Sequence, residues 1–329
     1  MEDKKVIMIQ SNLKIIFWGT PEFGAIILGK LITEGYKPMA IVTAPDKPVG
    51  RKQIITPSPV KDLGLKNNIL ILQPLKVKNN NEIKSQLAEM KPDLFIVAAY
   101  GLILPEGIIN LPKFKSINVH PSLLPKYRGP SPIQAAILSG DQETGVTLML
   151  MDEQMDHGDI IASAKIRLEH QYHKELEEQL AQLSATLLID IIPKWIKNEI
   201  RPTAQNHDQA TFTKIITKDT GKTNWSQSAE EIERMVRAYW PWPSVYTTLK
   251  SKDQKLNDKA IKIARASTLK YNIDLPVGSI FVENKKLAVK CGQDALILEQ
   301  IQLEGKTLTS AQSFINGYAE LIKAGLICG

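Results

Sequence analysis

The chain has 329 residues, 43% hydrophobic and 23% charged, which suits a globular protein with room for two cores and excludes a disordered or collagen-like one. Its net charge of +6 favours an anionic partner, whether a nucleic acid or a small phosphorylated or folate-like molecule. Two cysteines, Cys291 and Cys328, exclude a disulfide framework and a thiolate metal site, and no stretch reaches the ~18 apolar residues of a membrane helix. The opening residues, MEDKKVIMIQSN, have early acids and an apolar run too short for a secretory signal, so a cytoplasmic protein is expected.

The ordered fold is expected to begin near Leu13. Lys14 to Trp18 is a short apolar run ended by Gly19-Thr20-Pro21, a first buried strand. Glu22 to Gly35 carries Phe23, Ile26, Ile27 and Leu31 at helical spacing, with Pro21 suited to the helix start. Met39 to Thr43 is then a second strand, and this succession opens a doubly wound α/β sheet. The turn after the first strand lacks the G-x-G-x-x-G pattern of dinucleotide sites, and no G-x-x-x-x-G-K-[ST] phosphate loop occurs.

Ala44 to Lys61 holds four prolines and Gly50, so it is expected to be a long surface loop without regular structure. It carries Lys47, Arg51, Lys52 and Lys61, which suit either a solvated basic loop or an arm contacting phosphates. Ile69 to Leu72 and Leu94 to Ala99 are further buried strands, separated by a helix from Asn81 to Met90. Lys174 to Ile196 has helical periodicity and should close a first domain spanning residues 12–197. Residues 198–212, polar at first, proline-containing and without periodicity, are expected to be a linker to a second domain at 213–329.

In that second domain, Ser228 with Glu231 three residues on forms a capping box for a helix that runs to Trp240. Short alternating segments follow at Tyr246 to Leu249, Ala260 to Ile263, Gly278 to Val282, Leu287 to Lys290 and Ala295 to Ile301, with a last helix from Thr309 to Ala324. They suggest a small OB-like β-barrel, a fold that often carries nucleic acid. Nine lysines between Lys250 and Lys290 suit an RNA surface or an ordinary solvated face.

The chemistry concentrates in Ile117 to Gly129, INVHPSLLPKYRG, and in Met155 to Asp159, MDHGD. If Ser116 to Val119 is a strand, Asn118 and His120 share a face at its carboxyl end, where open α/β sheets place their sites. His120 can exchange a proton near neutral pH, and Asp156 on its other ring nitrogen would fix the tautomer. An Asn118 amide can donate to an oxygen that becomes negative in a transition state. No Ser or Cys is placed as a nucleophile, so the set suits attack by a nucleophile that the substrate brings. The alternative on spacing alone is a satisfied core histidine with Asn118 capping a turn.

Asn118 to Pro125, followed by Arg128-Gly129 and Pro132-Ile133-Gln134, resembles the signature of the formyltransferases that use 10-formyltetrahydrofolate, and the Asp156 segment resembles that family's second motif. Within the family the chain is most similar to the methionyl-tRNA formyltransferases, from about Leu13 onward. The Gly19 to Phe23 turn, the basic loop and the Arg237 to Pro243 segment share in that likeness. The resemblance implies a Rossmann-like catalytic domain, formyl transfer from 10-formyltetrahydrofolate to methionyl-initiator tRNA, and no metal. It implies catalytic roles for Asn118, His120 and Asp156, and donor contacts at Ser122, Leu123, Leu124 and Pro125 and along Tyr100, Gly101 and Leu102. It also implies tRNA contacts at Lys47, Arg51 and Lys52, with Arg51 at the family's key arginine and Lys52 where a second glycine is common. A monomer is expected. Two other readings remain open at this point: formylation of a small amine, and a non-catalytic RNA-binding protein that has kept the fold.

Overall fold

The computed structural model describes residues 13–50, 53–251, 256–272 and 274–329, which fall into two compact units. The first comprises residues up to Pro132 with Glu143–Arg167 and Leu176–Thr213. Its strands are β1 (Ile15–Gly19), β2 (Ala40–Val42), β5 (Leu70–Leu72), β6 (Leu94–Ala98), β7 (Ser116–His120), β8 (Glu143–Leu150) and β9 (Ile160–Arg167), with β3 (Lys47–Val49) and β4 (Ile54–Thr56) standing apart. The seven form one sheet in the order β5-β2-β1-β6-β7-β8-β9. Its first five strands run parallel, while β8 and β9 return antiparallel. Residues of β1 and β6 are buried throughout, as strands covered on both faces must be, which explains why they read as unbroken apolar runs.

Connections from β1 go outward to β2 and β5, and the chain then crosses to β6 on the other side. That reversal between β1 and β6 is a topological switch point, and β7 lies next to it with Val97 beside Asn118. Trp18 packs against Phe95 and Tyr100 beneath this edge, with ring centroids 5.5 and 5.1 Å apart.

The structure corrects the expectation for 44–61. Strands β3 and β4 pair as an antiparallel hairpin, with Lys47 opposite Thr56. Helix Pro59–Lys66 then begins inside the same stretch, because the Ser58 side chain accepts from the Lys61 amide at 3.1 Å and Pro59 fits the first helical position. Prolines that look like breakers in the sequence thus stand in an edge strand and at a helix start. Lys61 is drawn into that helix and pairs with Asp46 at 2.6 Å. Lys47 is exposed, whereas Arg51 and Lys52 lie outside the described residues.

The second unit comprises Ile133–Gln142, Leu168–Glu175 and Lys214–Gly329. Six antiparallel strands, β10 (Val245–Lys250), β11 (Ala260–Leu269), β12 (Ile280–Glu283), β13 (Lys286–Lys290), β14 (Ala295–Leu303) and β16 (Ile327–Cys328), follow the order β12-β13-β14-β11-β10-β16, with β15 (Thr309–Ser310) beside β14. Ile327 bridges to Ser279, just before β12, so the sheet curls into a nearly closed barrel, as expected. The capping box is present: Ser228 Oγ accepts from the Glu231 amide at 3.2 Å, and the Ser228 amide donates to Glu231 Oε2 at 2.9 Å. It starts helix Ala229–Tyr239, and a last helix, Ala311–Lys323, follows Ser310. No helix among the described residues is long and apolar enough to cross a membrane.

Candidate active site

Strand β7 carries both predicted side chains on one face at its carboxyl end. Asn118 is partly buried and His120 is 4% exposed. The chain then enters a turn from Pro121 to Ser131 that folds back over the strand end. Two residues in it take left-handed backbone conformations, Tyr127 at φ 61° and Gly129 at φ 108°. Gly129 is obligatory twice over, since a Cβ there would stand 2.8 Å from Thr213 Oγ1 and 3.0 Å from its carbonyl oxygen.

The turn brings Asp156 to the pair. Asn118 Nδ2 donates to Asp156 Oδ1 at 3.2 Å, and the Gly129 amide donates to Asp156 Oδ2 at 2.8 Å. His120 Nδ1 lies 3.6 Å from Asp156 Oδ1, beyond a normal hydrogen bond. Its Nε2 sits 2.9 Å from the Tyr127 carbonyl oxygen. A carbonyl only accepts, so Nε2 carries hydrogen and the tautomer is set by Tyr127 rather than by Asp156. This leaves Nδ1 as the nitrogen that faces the carboxylate and can exchange a proton. The second Asn118 amide hydrogen has no acceptor among the described residues, so it can meet an oxygen of a bound substrate.

The other sequence-predicted positions divide by exposure. Ser122 is buried, donates to the Lys126 carbonyl at 2.6 Å, and its own carbonyl accepts from Thr147 Oγ1 at 2.7 Å. Leu124 is buried, its amide donating to the same Thr147 hydroxyl. Tyr100 is buried beside Trp18; burial pushes its hydroxyl up to about 12, and that hydroxyl has no partner among the described residues. Leu123 and Pro125 are half-buried, and Gly101 and Leu102 are exposed. Among the described residues no group of three or more His, Cys, Asp or Glu side chains is placed to hold a metal ion.

Sequence reasoning missed a second layer. Arg128, 4% exposed, donates from Nε and Nη2 to Gln205 Oε1 at 3.1 and 2.7 Å, and its Nη2 lies 2.8 Å from His207 Nδ1. His207 stacks on His157 at 4.1 Å, and His157 Nδ1 pairs with Asp152 at 2.6 Å. Gln205 Nε2 donates to the backbone carbonyls of Asp156 and Gly158, at 2.9 and 2.7 Å. The only sequence signal for this layer was Arg128 within the motif; Gln205 and His207 stand in a stretch without periodicity.

A Rossmann-like sheet bearing an Asn–His–Asp set at its carboxyl edge, followed by a small barrel, defines the class, and the chain belongs to the formyl transferase family. The family's formyl transferase model matches residues 13–192, and its C-terminal domain model matches 215–319. Within that family the chain is similar to curated methionyl-tRNA formyltransferases. The protein of that name from Sulfurihydrogenibium sp. is 42% identical over 316 residues, 95% of this chain and 99% of that one. The one from Caldanaerobacter subterraneus subsp. tengcongensis is 40% identical over 307 residues, 93% of this chain and 97% of that one. Among solved structures, an N-formyltransferase from Helicobacter canadensis in complex with folinic acid and dTDP-3-aminofucose superposes with a TM-score of 0.64 at 19% identity, covering 87% of this chain and 98% of that one. HypX from Aquifex aeolicus in complex with tetrahydrofolic acid gives 0.62 at 14% identity, and this chain spans 48% of it. The two structural likenesses are likenesses of fold.

Proposed function

We propose that the protein transfers the formyl group of 10-formyltetrahydrofolate to the free amino group of methionyl-initiator tRNA. The observation that carries the reading is the convergence of the Asn118 amide, His120 Nδ1 and the Asp156 carboxylate at one strand end, with no enzyme nucleophile among them. Full-length similarity to curated methionyl-tRNA formyltransferases supports the choice of acceptor. The substrate amine attacks the formyl carbon, the new C–N bond forms, and the bond from that carbon to the donor nitrogen breaks. Asn118 offers its remaining amide hydrogen to the formyl oxygen as that oxygen gains charge. The His120–Asp156 pair takes the proton that leaves the amine and delivers it to the departing nitrogen.

The exposed Gly101 and Leu102 and the half-buried Leu123 and Pro125 are the surfaces left to touch the donor. Ser122, Leu124 and Tyr100 shape that wall from beneath. Lys47 on the hairpin, with Arg51 and Lys52 beside it in sequence, supplies positive charge for the tRNA backbone. A direct test mixes the protein and 10-formyltetrahydrofolate with charged initiator tRNA or with an amino-sugar nucleotide, following release of tetrahydrofolate. Turnover with the tRNA alone is expected; turnover with the amino sugar alone would move the reaction to a small acceptor.

A further inference from the structure

Residues 193–214 fall in neither family model, yet their side chains reach the reacting set. Asp156 takes a left-handed backbone conformation, φ 51°, uncommon outside glycine though aspartate enters it more readily than most residues. Gln205 bonds the backbone on both sides of His157. Its amide nitrogen donates to the Asp156 and Gly158 carbonyls, and its oxygen is fixed by two N–H groups of the buried Arg128. Gln205 is 5% exposed, so these bonds are made away from water, where an unpaired amide is costly.

The same stretch of chain grips the other half of the site. The Tyr127 amide donates to Thr211 Oγ1 at 2.8 Å, the Arg128 amide to the Thr211 carbonyl at 2.8 Å, and the Thr213 amide to the Arg128 carbonyl at 2.8 Å. The Tyr127 carbonyl is the group that orients His120. One strap, residues 203–213, therefore sets both the backbone from which Asp156 projects and the carbonyl that fixes the His120 tautomer. We propose that this strap is a positioning element of the active site, with Gln205 acting through Asp156 and Thr211 acting through Tyr127 on His120. This rests on the reaction proposed above and adds residues to it. Outer partners of metal-ligating side chains commonly matter roughly 10–100-fold without touching substrate, and the strap is expected to act on the same order.

The test is a double-mutant cycle on the full chain, read as single-turnover formyl transfer and as steady-state kcat and KM. Gln205→Leu removes both clamp donors and should lower kcat by roughly 30-fold while KM for the donor stays within about 2-fold. In an Asp156→Asn background the same change should alter the residual rate by less than about 2-fold, because its effect passes through Asp156. Equal losses in both backgrounds would overturn the proposal, as would an unchanged kcat in a folded Gln205→Leu protein. If Gln205→Leu does not fold, Thr211→Val decides: its side chain is exposed, and a severalfold loss of kcat that vanishes in a His120→Ala background is expected. A loss that persists there would contradict the strap. Full turnover in Asp156→Asn alone would instead remove Asp156 from the reaction and the Gln205 clamp with it, an outcome separable from the others.

Discussion

Asn118 uses one amide hydrogen on Asp156, and in the proposed reaction the second meets the formyl oxygen, so its removal should act on the transition state more than on binding. Asn118→Ala is predicted to lower kcat by roughly 10²–10³ with KM little changed, measured as labelled formyl transferred to charged tRNA. Near-normal turnover would take Asn118 out of that role. Asp156, by contrast, is engaged on both carboxylate oxygens, and the Gly129 amide is one of those engagements. Gly129→Ala meets a forbidden φ and a contact with Thr213 at once. It should cost about 1–3 kcal/mol of stability in urea unfolding and reduce turnover by displacing the amide that holds Asp156. Stability equal to that of the unaltered protein would mean that the turn relaxes freely, contrary to the packing described.

Among the elements, two helix starts both lose stability in acid, through different groups and in different pH windows. Glu231 in the capping box is held below the ordinary carboxylate range, first by the Ser228 hydroxyl and then by the Ser228 amide. A lowered carboxylate stabilises the fold above its unfolded value and loses that contribution as pH falls through its folded one. Ser228→Ala should therefore cost roughly 1 kcal/mol near pH 7, and the difference should shrink below about pH 4. His173, the first residue of helix His173–Ile196, is pushed down to about 4 by burial, and Gln134 Nε2 sits 2.9 Å from its Nε2 as a donor. It stays neutral when folded but binds a proton when unfolded, so stability should fall between pH 6.5 and about pH 4, by at most about 1.4 kcal/mol per pH unit. His173→Gln should flatten that window in pH-dependent unfolding; an identical acid slope would remove His173 as its source. Elements of this kind were largely legible. Apolar runs marked β1 and β6, and a serine three residues before a glutamate marked the barrel domain's first helix. Asn118 and His120 were legible as a pair because two-residue spacing on a strand fixes a shared face. The hairpin at Lys47–Thr56 was hidden because prolines are compatible with both loops and edge strands. Gln205 was hidden for a different reason: its partners at Asp156 and Gly158 are 49 and 47 residues away, and polar side chains that meet across such distances leave no periodic trace.

At the scale of the molecule, the formal charge of +6 and the exposed Lys47 should, on the proposed function, give association with tRNA an electrostatic component. The logarithm of kcat/KM for charged tRNA should fall linearly with the logarithm of salt, and replacing Lys47, Arg51 and Lys52 by alanine should reduce the slope by about 0.7–0.9 for each phosphate that is no longer neutralised. A salt-independent kcat/KM would argue against phosphate binding altogether. On the proposed reading the donor meets Gly101, Leu102, Leu123 and Pro125, none of them charged, so its KM should depend less steeply on salt than that of the tRNA. The central claim joins these two ends, a folate formyl donor and an initiator aminoacyl acceptor, in one protein. It is tested most directly by following labelled formyl from 10-formyltetrahydrofolate to charged initiator tRNA beside charged elongator tRNA. The account predicts N-formylmethionyl product on the initiator species alone; transfer to neither, with the donor bound, would contradict it.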